Sequence, residues 1–376
     1  MRTLDNPFVI SGYEGAHYFC DRKEELTQLR LEIANGNNVA LIATRRMGKS
    51  GLIEHYFSQP EIQARYYTFF IDIYDTKSLR ELVRKLSREI LMRLKPFGAR
   101  AMERFWQTLR SIQPGIHFSP MGEPSFNVQI GDIKEAETTL DEIFRYLELA
   151  DRPCIVAIDE FQQIGKYPEK SIEATLRTYV QRCHNAQFIF SGSQRHIMST
   201  MFTSASRPFY QSVSLMHLDQ IDMDAYDRFA KVLFEEGNRK LEDGVTEAVY
   251  ALSHGVTWYT QKLFNVLYAR TEEGTICEKV HIQDALDYVI KTQSYGYEEV
   301  MARLPEKQKM TLVALAKNGP TKRITSAAFV EKYSLQSAST VQSAMRGLLE
   351  KDFVTFEQGM YSVYDIFMDY WMQQVY

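Results

Sequence analysis

Residues 39–50, VALIATRRMGKS, form a short apolar run that breaks into a loop ending Gly48-Lys49-Ser50. A helical pattern follows from Gly51 to Phe57. Strand, loop and helix N-terminus in this order are the layout of a Walker A phosphate loop. There, backbone N–H groups and the positive end of the helix dipole cradle phosphate oxygens. In that layout Lys49 reaches the terminal phosphates and the Ser50 hydroxyl ligates Mg²⁺. The loop departs from G-x-x-x-x-G-K-[ST] at one place, Ala43, where the first glycine belongs. Alanine there costs about 1 kcal/mol if the backbone needs positive φ, and little otherwise. A bare Gly-Lys-Ser also occurs in ordinary loops, so the reading needs a second half.

That half is 154–160, CIVAIDE, an apolar run closing on two carboxylates roughly a hundred residues further on. A buried strand ending Asp-Glu is the Walker B pattern: Asp159 holds Mg²⁺, usually through water, and Glu160 polarises the attacking water. The plainer reading is a buried strand running into a helix N-terminus, where acidic residues are favourable anyway. Both halves in the expected order favour a nucleoside triphosphate site. No guanine-reading Asn-Lys-x-Asp run appears, which favours ATP over GTP.

The 376 residues suit two or three domains with cores of their own. With 45% apolar and 24% charged residues, the composition is that of a soluble globular protein. A net charge of −4 argues against a polybasic nucleic-acid binder but leaves room for a local basic face. Cys20, Cys154, Cys183 and Cys277 lack C-x-x-C spacing and read as reduced thiols, not a zinc site or disulfide frame. The N-terminus carries no basic-then-apolar signal segment and no apolar run approaches membrane-spanning length, so a cytoplasmic location is expected.

Around the two motifs, strands alternate with helices. A helix is expected from Asp21 to about Ala34, a strand over 66–73 (YYTFFIDI) and a helix from about Ser78 to Leu94. After a break at 95–98 a further helix is expected near 101–111. Residues 116–130 read as a β-hairpin around a Pro/Gly turn. Helices near 134–150 and 171–184 flank the Walker B strand, and strands are expected over 187–191 and 211–215. Such alternation implies a parallel sheet covered on both faces. Strands intervening between the two motifs, and the Glu after the Walker B Asp, fit an AAA-like P-loop core with an additional strand.

From Asp219 the pattern becomes helices only, through about Ser294. Beyond Tyr295-Gly296-Tyr297, helices at 306–316, 326–332 and 337–350 precede two strands, 353–356 and 360–363, around Glu357-Gln358-Gly359. Three helices and a two-stranded wing make a winged helix-turn-helix. The expected division is therefore 1–218 P-loop core, 219–300 helical lid and 301–376 winged helix.

Taken together, these residues resemble an AAA-like ATPase of the STAND class, in the archaeal-type ATPase family. The resemblance rests on Phe19 to Leu26 (FCDRKEEL), similar to the family's entry motif, and on the double-Arg loop Thr44 to Ser50. It rests also on the run Ile158 to Gln162 (IDEFQ) and on Phe190 to Ser193 (FSGS). It covers essentially the whole chain. Two departures are Ala43 and the stretch Gly255 to Tyr259 (GVTWY), which lacks the proline often found in the lid.

The resemblance implies ATP or ADP, with Mg²⁺, held between core and lid. It places Phe19 and Arg22 near the base or ribose, the loop Arg45, Arg46, Met47, Gly48, Lys49, Ser50 and Gly51 around the phosphates, Ser50 and Asp159 on the metal, and Lys49 and Glu160 in catalysis. It further implies a closed ADP state and an open ATP state, with Ser193 or Gln194 as a polar sensor. Ser193 reads equally well as an N-cap, and Arg22 as a surface residue. Arg45, Arg46, Arg195 and Arg207 are all candidates for the arginine that stabilises transition-state charge.

The winged helix brings DNA into question. From Glu306 onward there are eight Lys/Arg and seven Asp/Glu, a net of +1. The candidate recognition helix offers Ser337, Ser339, Thr340, Gln342, Ser343 and Arg346, with Lys351 nearby. Only the last two carry charge for phosphates, so DNA contact is expected to be weak. Tyr361, Tyr364, Phe367, Tyr370 and Trp371 suggest packing against another domain. A slowly hydrolysing regulatory switch, relaying its state to a protein partner and compatible with an oligomer in the ATP state, is the leading reading. A DNA-handling motor of replication-initiator type and a nucleotide-binding scaffold with little hydrolysis are its rivals.

Overall fold

The computed structural model describes residues 4–94, 108, 116–118, 124–126 and 135–376. The chain divides into two compact units, one of Ser11–Ala225 and one that joins Met1–Ile10 to Tyr226–Tyr376.

The first unit runs α1 (Lys23–Ala34), β1 (Val39–Ile42), α2 (Lys49–Phe57), α3 (Pro60–Arg65), β2 (Tyr67–Asp72) and α4 (Leu79–Arg93). After β3 (Ile116–Phe118) and β4 (Pro124–Phe126) come α5 (Ala136–Glu148), β5 (Cys154–Asp159), α6 (Ile172–Arg182), β6 (Ala186–Gly192), α7 (Arg195–Thr203) and β7 (Ser214–His217). Five strands form one parallel sheet in the order β2-β5-β6-β1-β7. Every residue of β1 and β5 is buried, which is why both read as unbroken apolar runs: each face is covered by helices.

The helices that cover the sheet show the matching periodicity. Ser78 caps α4 by accepting from the Glu81 N–H at 3.4 Å. Leu79, Leu82, Val83, Leu86 and Ile90 then bury one stripe, and Leu140, Ile143, Phe144 and Leu147 of α5 do the same. Beneath β6, Phe190 packs 4.4 Å from Phe161 and 5.4 Å from Phe209, ring centroid to centroid.

β3 and β4 pair antiparallel with Ile116 opposite Phe126, as a hairpin requires; the rest of 116–130, and the break and helix expected over 95–111 apart from Thr108, lie outside the described residues. The last strand sits at Ser214–His217, not 211–215, because β1 takes up Ser214 first, opposite Val39. Gln211, with φ +53°, still belongs to the preceding turn.

The second unit contains α8 (Met223–Glu236), β8 (Lys240–Leu241), α9 (Val245–Ser253), α10 (Thr257–Arg270), β9 (Ile276–Cys277) and α11 (His281–Arg303). The winged helix follows: α12 (Glu306–Asn318), α13 (Ala327–Lys332), α14 (Ala338–Glu350), β10 (Val354–Glu357), β11 (Met360–Val363) and a closing α15 (Ile366–Val375). The stretch 219–294 is not helices only. β8 and β9 pair in parallel, each two residues long and too short to leave a periodic signal. Tyr295-Gly296-Tyr297 lies inside α11, since one glycine costs a helix only about 1 kcal/mol.

Two segments complete this unit's core. Phe8 is fully buried, its ring 5.3 Å from Phe264 and 5.6 Å from Phe234. Asn6 and Asn265 each donate at 2.8 Å to the other segment's backbone, Asn6 to the Asn265 carbonyl and Asn265 to the Phe8 carbonyl. At the other end of the chain, α15 sets Phe367 4.9 Å from Tyr259 and Trp371 5.6 Å from Tyr297. The Tyr370 hydroxyl donates to the Leu252 carbonyl at 3.2 Å. The C-terminal aromatics thus find their burial against α9, α10 and α11. Among the described residues no helix is long and apolar enough to cross a membrane.

α15 also buries a carboxylate. Asp369 Oδ1 has no hydrogen-bond partner, and burial pushes the carboxyl up to about 6. A folded-state value above the unfolded one of 3.8 means that ionisation opposes folding. The penalty is absent below about pH 4, grows through about pH 6 and reaches about 3 kcal/mol above it. Asp369→Asn should therefore match the parent at about pH 4 and exceed it in unfolding free energy at about pH 8. Equal urea midpoints at both pH values would refute this.

Candidate nucleotide site

Because β1, β5 and β6 are parallel neighbours, the loops that leave their carboxyl ends emerge at one edge of the sheet. The first loop turns through two left-handed residues, Arg46 (φ +69°) and Gly48 (φ +91°), before α2 begins at Lys49. Ala43 is fully buried and is not among the residues of positive φ, so the missing first glycine costs no backbone strain. Lys49 is buried and folds back onto its own loop, donating at 3.3 Å to the carbonyls of Ala43 and Thr44. Burial lowers its pKa, while the Asp159 and Glu160 carboxylates oppose the shift.

The second loop supplies the carboxylates. Ser50 Oγ donates to Asp159 Oδ2 at 2.7 Å, joining α2 to the end of β5. A hydroxyl beside a carboxylate is a hard-oxygen donor pair that suits Mg²⁺. Among the described residues no cluster of three or more His, Cys, Asp or Glu side chains could hold a metal.

Glu160 sits in the left-handed region at φ +57° and accepts from Ser193 Oγ, at 2.7 Å, and from the Gln162 amide. Ser193 therefore faces the Walker B carboxylate and does not cap α7, whose N-cap is Gln194 without a side-chain bond. Asp72 pairs with Asp159 in the β2–β5 register. Burial raises its pKa and the Asp159 charge adds to that. A strand that ends in Asp beside the Walker B strand was a signal present in YYTFFID and not used.

The entry motif lies on α2. Phe19 stacks on His55 with centroids 4.4 Å apart and reaches the first turn of the helix, 3.6 Å from where a Gly51 Cβ would stand. Tyr13 completes the cluster, its hydroxyl 2.7 Å from His55 Nδ1 and 3.0 Å from Ser58 Oγ. Tyr13 and His55 were not anticipated, since neither belongs to a recognisable motif. Arg22 is only 4% exposed: it donates to the Met47 carbonyl at 3.2 Å and to Glu25 at 2.7 Å. It pins the phosphate loop and is not a surface residue.

The remaining arginines separate by their partners. Arg45 lies 5.4 Å from the Tyr74 ring centroid, Arg207 pairs with Glu173, and Arg195 stands 3.7 Å from Asp219. The positive charges of Arg45 and Arg195 both oppose protonation of Lys49.

Comparison with known proteins accords with this geometry. The family described as an ATPase domain predominantly from Archaea matches residues 19–263, and a probable winged helix domain matches 295–374. Comparison with the curated proteins finds no match. The fold is similar to that of the Walker-type ATPase of Pyrococcus abyssi, at 18% identity and a TM-score of 0.66, over 98% of this chain and 99% of that one. It is also similar to the ORC1 protein of Aeropyrum pernix, solved in complex with DNA, at 12% identity and a TM-score of 0.53, over 95% and 93% of the two chains. A match over most of the chain, from the entry motif past the Walker B strand, makes this protein a member of the archaeal-type ATPase domain family.

Proposed function

We propose that the chain binds ATP with Mg²⁺, hydrolyses it slowly in the cytoplasm, and serves as a nucleotide-dependent regulatory switch of the STAND kind. The single observation that carries the reading is the 2.7 Å hydrogen bond from Ser50 to Asp159. It brings the hydroxyl that follows the phosphate-loop lysine to the carboxylate that ends the Walker B strand, the two groups a nucleotide-bound Mg²⁺ needs.

In this reading the backbone from Arg45 to Gly51 and the start of α2 receive the phosphates, and Phe19 and Arg22 border the rest of the nucleotide. Lys49 leaves its loop carbonyls for the β- and γ-phosphates. Ser50 and Asp159 would hold Mg²⁺, which when bound would supply charge neutralisation to the phosphoryl group. Glu160 takes the proton of the attacking water, with Ser193 orienting its carboxylate. The intact trio Lys49, Asp159 and Glu160 weighs against a scaffold that scarcely hydrolyses.

The proposed division is a core of 1–218, a lid of 219–300 and a winged helix of 301–376. Support for a relay comes from α15, which buries Phe367 and Trp371 against α10 and α11, so a shift of those helices carries the winged helix with it. The partner is a protein, and an oligomer forms in the ATP state if a neighbour supplies the arginine. A second reading, a DNA-handling ATPase of replication-initiator type, draws on the winged helix match and on the likeness in fold to ORC1. Against it, the exposed face of α14 offers Ser339, Gln342 and Ser343 with Arg346 as its one cation and Glu350 as an opposing charge.

Lys49→Ala should abolish ATP binding measured by calorimetry, and an unchanged affinity would sink the nucleotide site. Ser50→Ala should weaken the Mg²⁺ dependence of binding specifically. Glu160→Gln should bind ATP and retain it unhydrolysed; turnover at the parental rate would make Glu160 structural.

For the winged helix, the full chain should bind duplex DNA weakly at physiological salt. Its log K should fall with log salt at a slope of about −2, since Arg346 and Lys351 can neutralise about two phosphates. Tight binding with a steep slope would promote the initiator reading.

A further inference from the structure

The amide of Gln162 is buried with one end satisfied and the other not. Gln162 is 4% exposed, in the turn that follows Glu160, and its Oε1 is buried with no hydrogen-bond partner. An unpaired buried acceptor destabilises the fold, and a methionine of similar length would fill the same space without that cost. The other end of the amide is fully engaged. Nε2 donates to Glu160 Oε2 and stands 3.4 Å from Ser193 Oγ, which donates to that same Oε2 at 2.7 Å.

Room for the amide comes from Gly192. A methyl there would lie 2.5 Å from Gln162 Oε1 and would also strike Met198, which is fully buried and has nowhere to retreat. β6 thus ends in a glycine whose missing side chain admits the amide of a residue from another loop.

We propose that Gln162 is a positioning residue for Glu160. With Ser193 it fixes one carboxylate oxygen by two donors, so that the other, Oε1, which has no hydrogen bond among the described residues, faces the attacking water in one orientation. The inference rests on the ATPase reading and adds to it a residue that acts through Glu160 and not on nucleotide. Three groups from two loops then define the base: Glu160 performs the proton transfer, while Ser193 and Gln162 remove its rotational freedom. Losing one of two orienting bonds leaves the carboxylate free to turn, and misplacement by about 1 Å costs on the order of 100-fold in rate.

The test is Gln162→Met in the full chain. Steady-state hydrolysis is measured beside ATP affinity by calorimetry and thermal stability, with Lys49→Ala as the background control. The expected result is a kcat lower by about 10- to 100-fold, an ATP Kd within about twofold of the parent and a melting temperature equal to or above it. Gln162→Glu keeps the shape but sets a second carboxylate against Glu160, and should lower kcat at least as far. The double variant Gln162→Met with Ser193→Ala should fall short of the product of the two single losses, because both act on one oxygen.

A Gln162→Met protein that turns over at the parental rate overturns the proposal. So does one whose kcat, affinity and melting temperature fall together, since that marks packing alone. Should the parent show no Lys49-dependent hydrolysis, the ATPase reading itself fails, and this inference with it.

Discussion

The hydrogen bond between Ser50 and Asp159 can exist only because β1 and β5 run in the same direction with β6 between them. Parallel strands deliver their carboxyl ends to one edge, so three separate loops meet there: the phosphate loop, the Walker B turn and the turn after β6. Each loop brings what the others lack. The first has a cation and a helix N-terminus, the second two carboxylates, and the third a hydroxyl. Burial of the strands on both faces supplies the rigidity, since Val39–Ile42 and Cys154–Asp159 are buried throughout. Sheet and site are therefore one problem: whatever loosened the packing of β6 on its aromatic cluster would also displace Ser193 from Glu160.

Much of this was legible before any coordinates. VALI and CIVAID announce themselves because a strand covered on both faces has no polar positions to interrupt it, and GKS and DE follow because the loops begin where burial ends. What resisted reading was contact between residues far apart in sequence. Arg22 was expected near the base or ribose, with a surface position as the alternative; its guanidinium is buried and tied to a carbonyl 25 residues away. Ser193 read equally well as a cap or a sensor; it does not cap α7, and its hydroxyl donates to Glu160. Tyr295-Gly296-Tyr297 looked like a boundary, yet α11 runs through it, since packing on either side outweighs the local cost of one glycine. Phe8 carried no signal at all. Nothing local shows that the segment before Phe19 is needed to fill a cluster with Phe234 and Phe264.

Charge and burial divide the winged helix into two faces with different chemistry. The exposed side of α14 is rich in hydroxyls and poor in cations, which gives it little hold on a polyanion. The opposite end of the module is aromatic and satisfied: Tyr259 donates to the Tyr364 carbonyl at 3.5 Å and accepts from the Ile366 N–H at 3.3 Å. The module is thus anchored through its aromatic end, and its few cations lie on the other side.

The backbone at the site is held at a cost. Arg22, Arg46 and Glu160 all adopt positive φ without being glycine, at about 1–2 kcal/mol each. One pins the loop before α2, one turns it and one carries the carboxylate that Ser193 and Gln162 hold. Left-handed residues persist when surrounding bonds over-determine them, and here those bonds are visible: Arg22 to Met47 and Glu25, and Glu160 to Ser193 and Gln162. The unpaired Gln162 oxygen and the buried Lys49 lie at that same edge, so several groups held against their own preferences stand side by side where β1, β5 and β6 end.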